Sequence, residues 1–245
     1  MTGVQTCALP ILHDDTKTIV GTGLALYTQE PKLRDGSLIW EDGTATSLND
    51  RILSTVADPF QSTGGLSHLV GNLGSGVMKV SAVAEDKRIV TAPARIFHDQ
   101  DDVKAAFKAG ELTEDVIVVI RFQGPQANGM PELHSLTPLL TIMQERGQKV
   151  ALVTDGRMSG ASGKVPSAIH ISPEALAGGP LACLKDGDII KVDAVNGTLD
   201  VLTEGALDRP KTIADMSANS FGTGRELFEI FRRNVGTAET GASVF

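Results

Sequence analysis

Two short apolar runs, each followed by a polar loop, place the strongest constraint on how this chain can fold. The first run, Val116–Ile120, consists only of β-branched residues, and the second is Lys149–Val153. The β-branched run predicts a strand that is buried on both faces, and the second run predicts the next strand along the chain. Between them, residues 136–146 have a helical pattern that ends at Gly147. Strand, loop, helix and strand in this order predict a crossover unit with two neighbouring parallel strands.

The remaining patterns predict more strands than helices. Strand candidates are residues 77–83 and 87–94, and two more, 188–192 and 198–202, flank Asn196-Gly197, a dipeptide typical of hairpin turns. Because few helices accompany so many strands, the sequence predicts an α/β fold. A barrel-like sheet with flanking helices and an antiparallel element is favoured over an open doubly wound sheet.

Three shorter helices are also predicted from their terminal signals. One spans residues 101–109 and ends at Gly110. A second begins at Ser172-Pro173-Glu174, with serine as the N-cap and proline in the first helical position. The third begins at the capping box Thr223-Gly-Arg-Glu226 and has an apolar side formed by Leu227, Phe228, Ile230 and Phe231.

Composition excludes several classes of function. The net charge of −8 over 245 residues argues against a nucleic-acid or basic membrane surface. No apolar run approaches the roughly 20 residues that span a bilayer. The two cysteines, Cys7 and Cys183, are too few for a disulfide framework, which favours a cytoplasmic protein. They are also too few for an iron–sulfur cluster, which usually needs about four thiolates.

Changes in amino-acid composition along the chain predict three segments. Residues 1–11 resemble translated adapter sequence and lack the features of a secretory signal, although a frayed native terminus is the alternative. Residues 12–60 are polar and rich in turn residues, and they are interpreted as a tail or linker of a preceding domain. Residues 61–245 contain the strand and helix patterns and are predicted to form the main domain.

The loop after the first run contains the sequence Gln-Gly-Pro-Gln-Ala-Asn-Gly-Met-Pro-Glu-Leu-His, residues 123–134. A carboxylate at Glu132, close to the end of a buried strand, could bind Mg²⁺, which prefers oxygen ligands. The alternative is a glutamate that is favoured at a helix start by the helix dipole. His134, two residues further on, is a weak metal signal and is more typical of a surface or capping histidine.

The loop after the second run contains Asp-Gly-Arg-Met-Ser-Gly-Ala-Ser-Gly-Lys, residues 155–164. Ser159 lies in a glycine-rich turn that leaves room for a substrate, but an isolated serine needs an activating partner, and a plain turn serine is the alternative. Arg157 excludes the Gly-x-Ser-x-Gly elbow, and the segment up to Lys164 does not match a P-loop. Arg157 and Lys164 remain candidates for holding a phosphate or carboxylate.

These two loops, together with residues 71–79, 153–170, 186–190 and 222–228, resemble the family of dihydroxy-acid, sugar-acid and phosphogluconate dehydratases. The resemblance covers residues 12–245 but only the C-terminal part of the family's full length. Gln123 and Met158 indicate the branch that acts on phosphogluconate, because the dihydroxy-acid branch usually has glutamate and phenylalanine there.

The resemblance implies a two-domain subunit whose C-terminal half is a swivelling β/β/α barrel-like domain. Glu132 matches the family's C-terminal Mg²⁺ ligand and Ser159 its proposed catalytic base. The implied reaction is the dehydration of 6-phospho-D-gluconate to 2-dehydro-3-deoxy-6-phospho-D-gluconate in the Entner–Doudoroff route. It uses Mg²⁺ and an iron–sulfur cluster whose cysteines lie in the N-terminal domain.

Neither Cys7 nor Cys183 matches a cluster position of the family. The chain is therefore expected to be a C-terminal fragment that folds but is inactive alone, from a cytoplasmic hydro-lyase that forms homodimers at full length. Its partner would be a small sugar-acid phosphate, with no nucleic acid and no membrane. The alternatives are a fragment of a dihydroxy-acid or other sugar-acid dehydratase, a non-catalytic stand-alone domain, or a phosphate-binding module around Lys164.

Overall fold

The computed structural model describes residues 13, 15–55, 57–60, 64–159 and 164–245, and it divides the chain into two compact units at residues 63 and 64. The adapter-like segment 1–11 with Cys7 lies outside the described residues. The same holds for residues 160–163 of the second loop. Each unit is described by itself below.

The first unit contains two small antiparallel sheets. Strands β1 (Lys17–Thr18) and β2 (Gly21–Thr22) form one, and β3 (Gln29–Arg34) and β4 (Ser37–Asp42) form the other, with a 3₁₀ helix at Ala25–Thr28 between them. The sequence analysis predicted no strands here. The hairpin leaves Leu33, Leu38 and Trp40 more than half exposed, so no buried face imposes an alternating pattern on the sequence.

The second unit is built on a closed barrel of eight strands in the order β10-β6-β5-β12-β11-β7-β8-β9. The strands are β5 (Leu66–Gly71), β6 (Gly74–Lys79), β7 (Ile89–Phe97), β8 (Val116–Ile120), β9 (Val150–Thr154), β10 (Ser167–Ser172), β11 (Ile189–Asp193) and β12 (Thr198–Val201). The predicted barrel-like sheet is confirmed. Closure leaves no unpaired strand edge in this sheet.

The barrel mixes parallel and antiparallel pairs. Strands β7, β8, β9 and β10 are successive parallel neighbours, and β12 pairs parallel with β5. The predicted crossover between β8 and β9 and the predicted β11–β12 hairpin at Asn196-Gly197 are both confirmed. Because β8 and β9 run parallel, the loops that follow them start from the same end of the barrel.

Few helices flank the barrel. Among the residues that the structure describes, the α-helices are α1 (Gln100–Lys108), α2 (Pro125–Asn128), α3 (Thr137–Glu145) and α4 (Glu229–Asn234). Short 3₁₀ helices lie at Glu85–Lys87, His134–Leu136, Pro180–Cys183, Ala206–Asp208, Ser217–Ser220, Arg225–Phe228 and Ala238–Thr240. Among the described residues, no helix combines the length and the apolar character needed to cross a bilayer.

The β-branched run of β8 is buried on both faces because it separates two apolar cores. Ile117 and Val119 belong to a cluster with members from every barrel strand, which is the barrel interior. Val116, Val118 and Ile120 belong to a second cluster outside the barrel, together with residues of α1 and α3. The uninterrupted run therefore reflects two buried faces, as predicted.

The predicted helix beginning at Ser172 is wrong. Ser172 ends β10, and the chain then forms turns rather than a helix. The reason lies in the neighbouring loops: the Ala175 N–H donates to Asp155 Oδ2 (2.9 Å), and the Glu174 carboxylate accepts from the Gln126 N–H (2.9 Å). These tertiary hydrogen bonds replace the intrahelical ones that the capping pattern predicted.

The predicted helix at the C-terminal capping box begins later in the chain than expected. The Glu226 carboxylate accepts from the Gly222 N–H (3.1 Å) rather than from the N–H of Thr223. The segment after the capping box begins with the 3₁₀ turn Arg225–Phe228, and α4 begins only at Glu229. The apolar residues Leu227, Phe228 and Ile230 of this segment are each more than half exposed.

Candidate functional site

The loops after β8 and β9 meet at one end of the barrel and form the candidate site. Glu132 and Arg157 pair as an isolated parallel bridge, and the Leu133 N–H donates to the Arg157 carbonyl (3.2 Å). The carboxyl ends of parallel strands are where α/β sheets place their binding crevices. The structure thus brings together the two loops that the sequence singled out.

Glu132 is the focus of this junction. Its Oε1 accepts hydrogen bonds from the backbone N–H groups of Ser159 (2.7 Å) and His134 (3.0 Å). Its Oε2 lies 3.4 Å from Arg157 Nη1, and the Glu132 side chain is 36% exposed. One carboxylate oxygen is therefore held by two amides, and the other faces a cation at the protein surface.

Arg157 is fixed at both ends of its guanidinium. Its Nε donates to the Met130 carbonyl (2.7 Å), and Nη1 approaches Glu132. The side chain is nevertheless 52% exposed, so it is open to an incoming anion. The structure places Glu132, Ser159 and Arg157 together. Lys164 is exposed, and it has no hydrogen bond or ion pair with these three residues in the described part of the chain.

Asp155 organises the start of both loops. Its fully buried carboxylate accepts hydrogen bonds from the N–H groups of Phe122 (3.1 Å), Gln123 (2.9 Å) and Ala175 (2.9 Å). Burial raises the pKa of Asp155, while these three hydrogen bonds act in the opposite direction. One side chain thus ties the loops after β8, β9 and β10 to one another.

Glu174 is a second buried carboxyl, only 7% exposed. Its Oε1 accepts from the Gln126 N–H, whereas its buried Oε2 has no hydrogen-bond partner among the described residues. Burial, and next the charge of Asp155, raises the pKa of Glu174 to about 7. Gly124 is required beside it, because a Cβ at that position would lie 1.6 Å from Glu174 Oε2.

Three non-glycine residues around these loops have a left-handed backbone. Phe122, Met130 and His170 have φ values of 63°, 55° and 58°. Each such conformation costs of order 1–3 kcal/mol and persists where the surrounding structure imposes it. The His170 N–H donates to the Gly156 carbonyl (2.9 Å), and burial followed by the charge of Arg157 lowers the pKa of His170. Strain is thus concentrated where the two loops meet.

The sequence analysis did not assign roles to Asp155, Glu174 or Arg225. Asp155 offered a signal, since a carboxylate that directly follows a fully buried strand needs hydrogen-bond donors nearby. Glu174 offered none, because its capping-type pattern predicted a different local structure. Arg225 reaches the first loop from far along the chain: its Nη1 donates to Asn128 Oδ1 (2.9 Å).

The donor set suits one of the two implied cofactors and not the other. Glu132 is a partly exposed carboxylate of the kind that Mg²⁺ takes from proteins, usually one or two at a time. Among the described residues, no three His, Cys, Asp or Glu side chains are grouped closely enough to hold a metal ion alone. Cys183 is buried, and the described residues do not fit an iron–sulfur cluster.

A carboxylate and a serine lie together in the loops that follow two adjacent parallel strands of a closed barrel, which is where the binding crevices of α/β sheets are found. Residues 51–242 match the family model described as dihydroxy-acid/6-phosphogluconate dehydratase, C-terminal. The chain therefore belongs to the dihydroxy-acid/6-phosphogluconate dehydratase family.

Individual relatives agree with this assignment. The chain is 57% identical over 236 residues to a phosphogluconate dehydratase of Pseudomonas aeruginosa, covering 96% of this chain and 39% of the relative. The chain is also 53% identical over 237 residues to a phosphogluconate dehydratase of Rhizobium meliloti, again covering 96% of this chain and 39% of the relative. A dihydroxy-acid dehydratase of Agathobacter rectalis is 42% identical over 160 residues, 64% of this chain and 28% of the relative. The chain thus spans about two fifths of the length of the phosphogluconate dehydratases that it matches.

Proposed function

We propose that this chain is the C-terminal part of a hydro-lyase that dehydrates 6-phospho-D-gluconate to 2-dehydro-3-deoxy-6-phospho-D-gluconate. The observation that carries the proposal is the contact of Glu132 with Ser159 at the mouth of the barrel. The higher identity to phosphogluconate dehydratases than to the dihydroxy-acid dehydratase supports the phosphorylated substrate.

The dehydration removes a proton from C2 of the sugar acid and hydroxide from C3, and the resulting enol tautomerises to the 2-keto acid. Ser159 is proposed to accept the C2 proton as an alkoxide, which the transfer converts to the neutral hydroxyl; a bound cation nearby would favour the deprotonated form. The Ser159 backbone is held by Glu132, which fixes the direction from which the side chain meets a substrate. Arg157 and Lys164 are proposed to attract the anionic groups of the substrate.

Glu132 would hold Mg²⁺ through Oε2, because Oε1 is already engaged by two backbone amides. When bound, the cation would stabilise negative charge that develops on the substrate and favour the deprotonated form of nearby hydroxyls. Arg157 adjoins Glu132 and would orient an anionic group of the substrate beside it.

The remaining expectations stay proposals. We propose that residues 61–245 form a swivelling domain, that residues 12–60 are the tail of a preceding domain and its linker, and that residues 1–11 are foreign to the protein. The iron–sulfur cluster is proposed to be held by cysteines outside this chain. A cytoplasmic enzyme that forms homodimers at full length is likewise proposed, and the exposed apolar residues around α4 are compatible with a covered surface.

A hybrid enzyme tests the proposed function. This chain would replace the matching region of the Pseudomonas aeruginosa phosphogluconate dehydratase. Formation of the 2-keto acid would then be measured with 6-phosphogluconate, with gluconate and with a dihydroxy acid. We expect turnover of 6-phosphogluconate that is abolished by Ser159→Ala and strongly reduced by Glu132→Gln.

Two results would contradict the proposal. Turnover of the dihydroxy acid in preference to 6-phosphogluconate would assign the chain to another branch of the family. Full activity of the Ser159→Ala hybrid would remove Ser159 from the reaction. A matched control is Ser135→Ala, since Ser135 donates to Gln100 Oε1 (2.7 Å) on the same side of the barrel but outside the Glu132 junction.

A further inference from the structure

Arg225 lies far from the candidate site in sequence but is bound to the first site loop. Its Nη1 donates to Asn128 Oδ1 (2.9 Å) and to the Asn219 carbonyl (3.3 Å). The side chain is half-buried. Within the described residues, these are its polar contacts, and none of them is with a carboxylate. Because no carboxylate neutralises this half-buried guanidinium, its positive charge is available to pair with an anionic ligand.

The loop position that Arg225 contacts is itself firmly held. Asn128 Nδ2 donates to Gln123 Oε1 (3.0 Å), and Gln123 Nε2 donates to the His98 carbonyl (2.6 Å). Gln123 is buried, so this relay is shielded from water. Because both groups of the Asn128 amide are engaged, Arg225 is oriented by a rigid partner rather than by a mobile side chain.

A second arginine is anchored two residues further along the same loop. Arg157 Nε donates to the Met130 carbonyl (2.7 Å). The Cα atoms of Asn128 and Met130 can be at most about 7 Å apart, because successive Cα atoms are separated by 3.8 Å. The space over the intervening residue is open, since a Cβ built on Gly129 meets nothing within 4 Å. Two guanidinium groups are therefore anchored at positions 128 and 130 of one loop, with the unobstructed Gly129 between the two anchor points.

We propose that Arg225 and Arg157 together bind a phosphoryl group over Gly129, with Arg225 as a substrate-binding residue and Asn128 and Gln123 as the residues that position it. A phosphoryl group offers three oxygens and nearly two negative charges, which suits recognition by two guanidinium forks. Glu132 and Ser159 adjoin Arg157 and serve the other end of the molecule. This inference rests on the proposed function and deepens it by naming where the phosphorylated end of the substrate is held.

The test measures binding to the 245-residue chain by calorimetry and requires no turnover. The probes are inorganic phosphate, 6-phosphogluconate and gluconate. Arg225→Gln keeps a side-chain donor for Asn128 but removes the charge, and it is expected to weaken binding of phosphate and of 6-phosphogluconate about tenfold or more. Arg225→Lys, which keeps the charge and loses the fork, is expected to fall between the wild type and Arg225→Gln.

The matched control is Arg233→Ala, because Arg233 belongs to the same C-terminal segment but pairs with Glu229 in an exposed position. It should leave phosphate binding unchanged. Melting temperatures of all variants show whether the segment stays folded. A folded Arg225→Gln variant that binds phosphate like the wild type overturns the proposal, and so does a wild-type chain that binds no phosphate. An arginine-dependent affinity for gluconate equal to that for 6-phosphogluconate also overturns it, because the arginines would then hold the carboxylate.

These outcomes separate the inference from the proposed function. An inactive hybrid enzyme with intact, Arg225-dependent phosphate binding would refute the reaction and leave the anion site standing. An active hybrid whose KM for 6-phosphogluconate is unchanged by Arg225→Gln would refute the anion site and support the reaction.

Discussion

The backbone N–H of Ser159 donates a 2.7 Å hydrogen bond to Oε1 of Glu132, although the two residues lie in different loops after different strands. The same carboxylate oxygen accepts from the His134 N–H (3.0 Å), so the loop after β9 is attached directly to the loop after β8. A carboxylate that accepts two backbone amides is held in one orientation. The remaining oxygen is therefore presented to the surface in a defined direction.

The first prediction concerns Glu132. Glu132→Gln keeps an oxygen for the two amides but removes the charge, so Mg²⁺ binding to the chain should be lost or weakened by more than tenfold. The melting temperature should change little, because a partly exposed ion pair contributes at most about 1 kcal/mol. Calorimetric Mg²⁺ titration checks this. Glu111→Gln, at a carboxylate that pairs with Arg95 (3.0 Å), is the control and should bind Mg²⁺ like the wild type.

The second prediction concerns Asp155. Asp155→Asn places an amide where Oδ2 accepts from the N–H groups of Phe122 and Ala175, so at least one buried donor loses its partner. We expect a loss of about 2–4 kcal/mol in the free energy of unfolding, measured with urea. Asp101→Asn, at a side chain that is 81% exposed, should change this free energy by less than about 0.5 kcal/mol. Equal effects of the two substitutions would show that Asp155 does not organise the loops.

The third prediction is a pH dependence that arises from Glu174. The pKa of its carboxyl is raised by burial from 4.5 to about 7 in the folded protein. Below about pH 4.5 the group is protonated in both states. As the pH rises from there to about 7, the unfolded chain loses the proton first, so the folded state loses up to about 3 kcal/mol of relative stability.

Glu174→Gln should remove this part of the pH dependence. The variant should be more stable than the wild type at pH 8 and close to it at pH 4.5, as measured by urea unfolding across the range. Parallel stability curves for the two proteins would contradict a raised pKa at Glu174. Glu145→Gln, at an exposed position at the end of α3, is the control and should follow the wild type.

The fourth prediction concerns Gln123. Its Nε2 donates to the His98 carbonyl (2.6 Å), and an ionised glutamate cannot make this donation. Gln123→Glu should therefore lower the free energy of unfolding by about 2 kcal/mol, since a buried charge would face a carbonyl oxygen. Gln100→Glu is the matched control, because Gln100 Oε1 only accepts, from the Ser135 hydroxyl, and a carboxylate accepts equally well. Equal stability of the two variants would contradict the proposed role of the buried amide.

The fifth prediction concerns Gly124. Gly124→Ala would place a Cβ 1.6 Å from Glu174 Oε2, so the loop or the carboxyl must move, and we expect a loss of more than about 3 kcal/mol. Gly64→Ala adds the same methyl group where nothing lies within 4 Å and should be nearly neutral. Chemical denaturation of both variants provides the comparison. A Gly124→Ala protein as stable as the wild type would show that the Glu174 carboxyl readily changes position.

Much of the barrel was predictable because its signals are local. The β-branched run of β8, the helix α1 before Gly110 and the hairpin at Asn196-Gly197 each depend on a few consecutive residues, and all three predictions are confirmed. The helix predicted at Ser172 was wrong because its capping groups bind Asp155 and Gln126 instead, and no local pattern reveals such partners. The exposed hairpin of β3 and β4 was missed because it buries no face that would impose an alternating pattern.

The sequence by itself determined the two loops after β8 and β9 and indicated Glu132 and Ser159 as their candidate functional residues, because motif and strand order lie in consecutive residues. Only the tertiary structure decided that one oxygen of Glu132 binds Ser159, that Asp155 joins three loops, and that Arg225 reaches Asn128 from 97 positions away. The physical reason is that barrel closure and hydrogen-bond partnership are long-range properties. They depend on which strands become neighbours, and local propensity does not encode that choice.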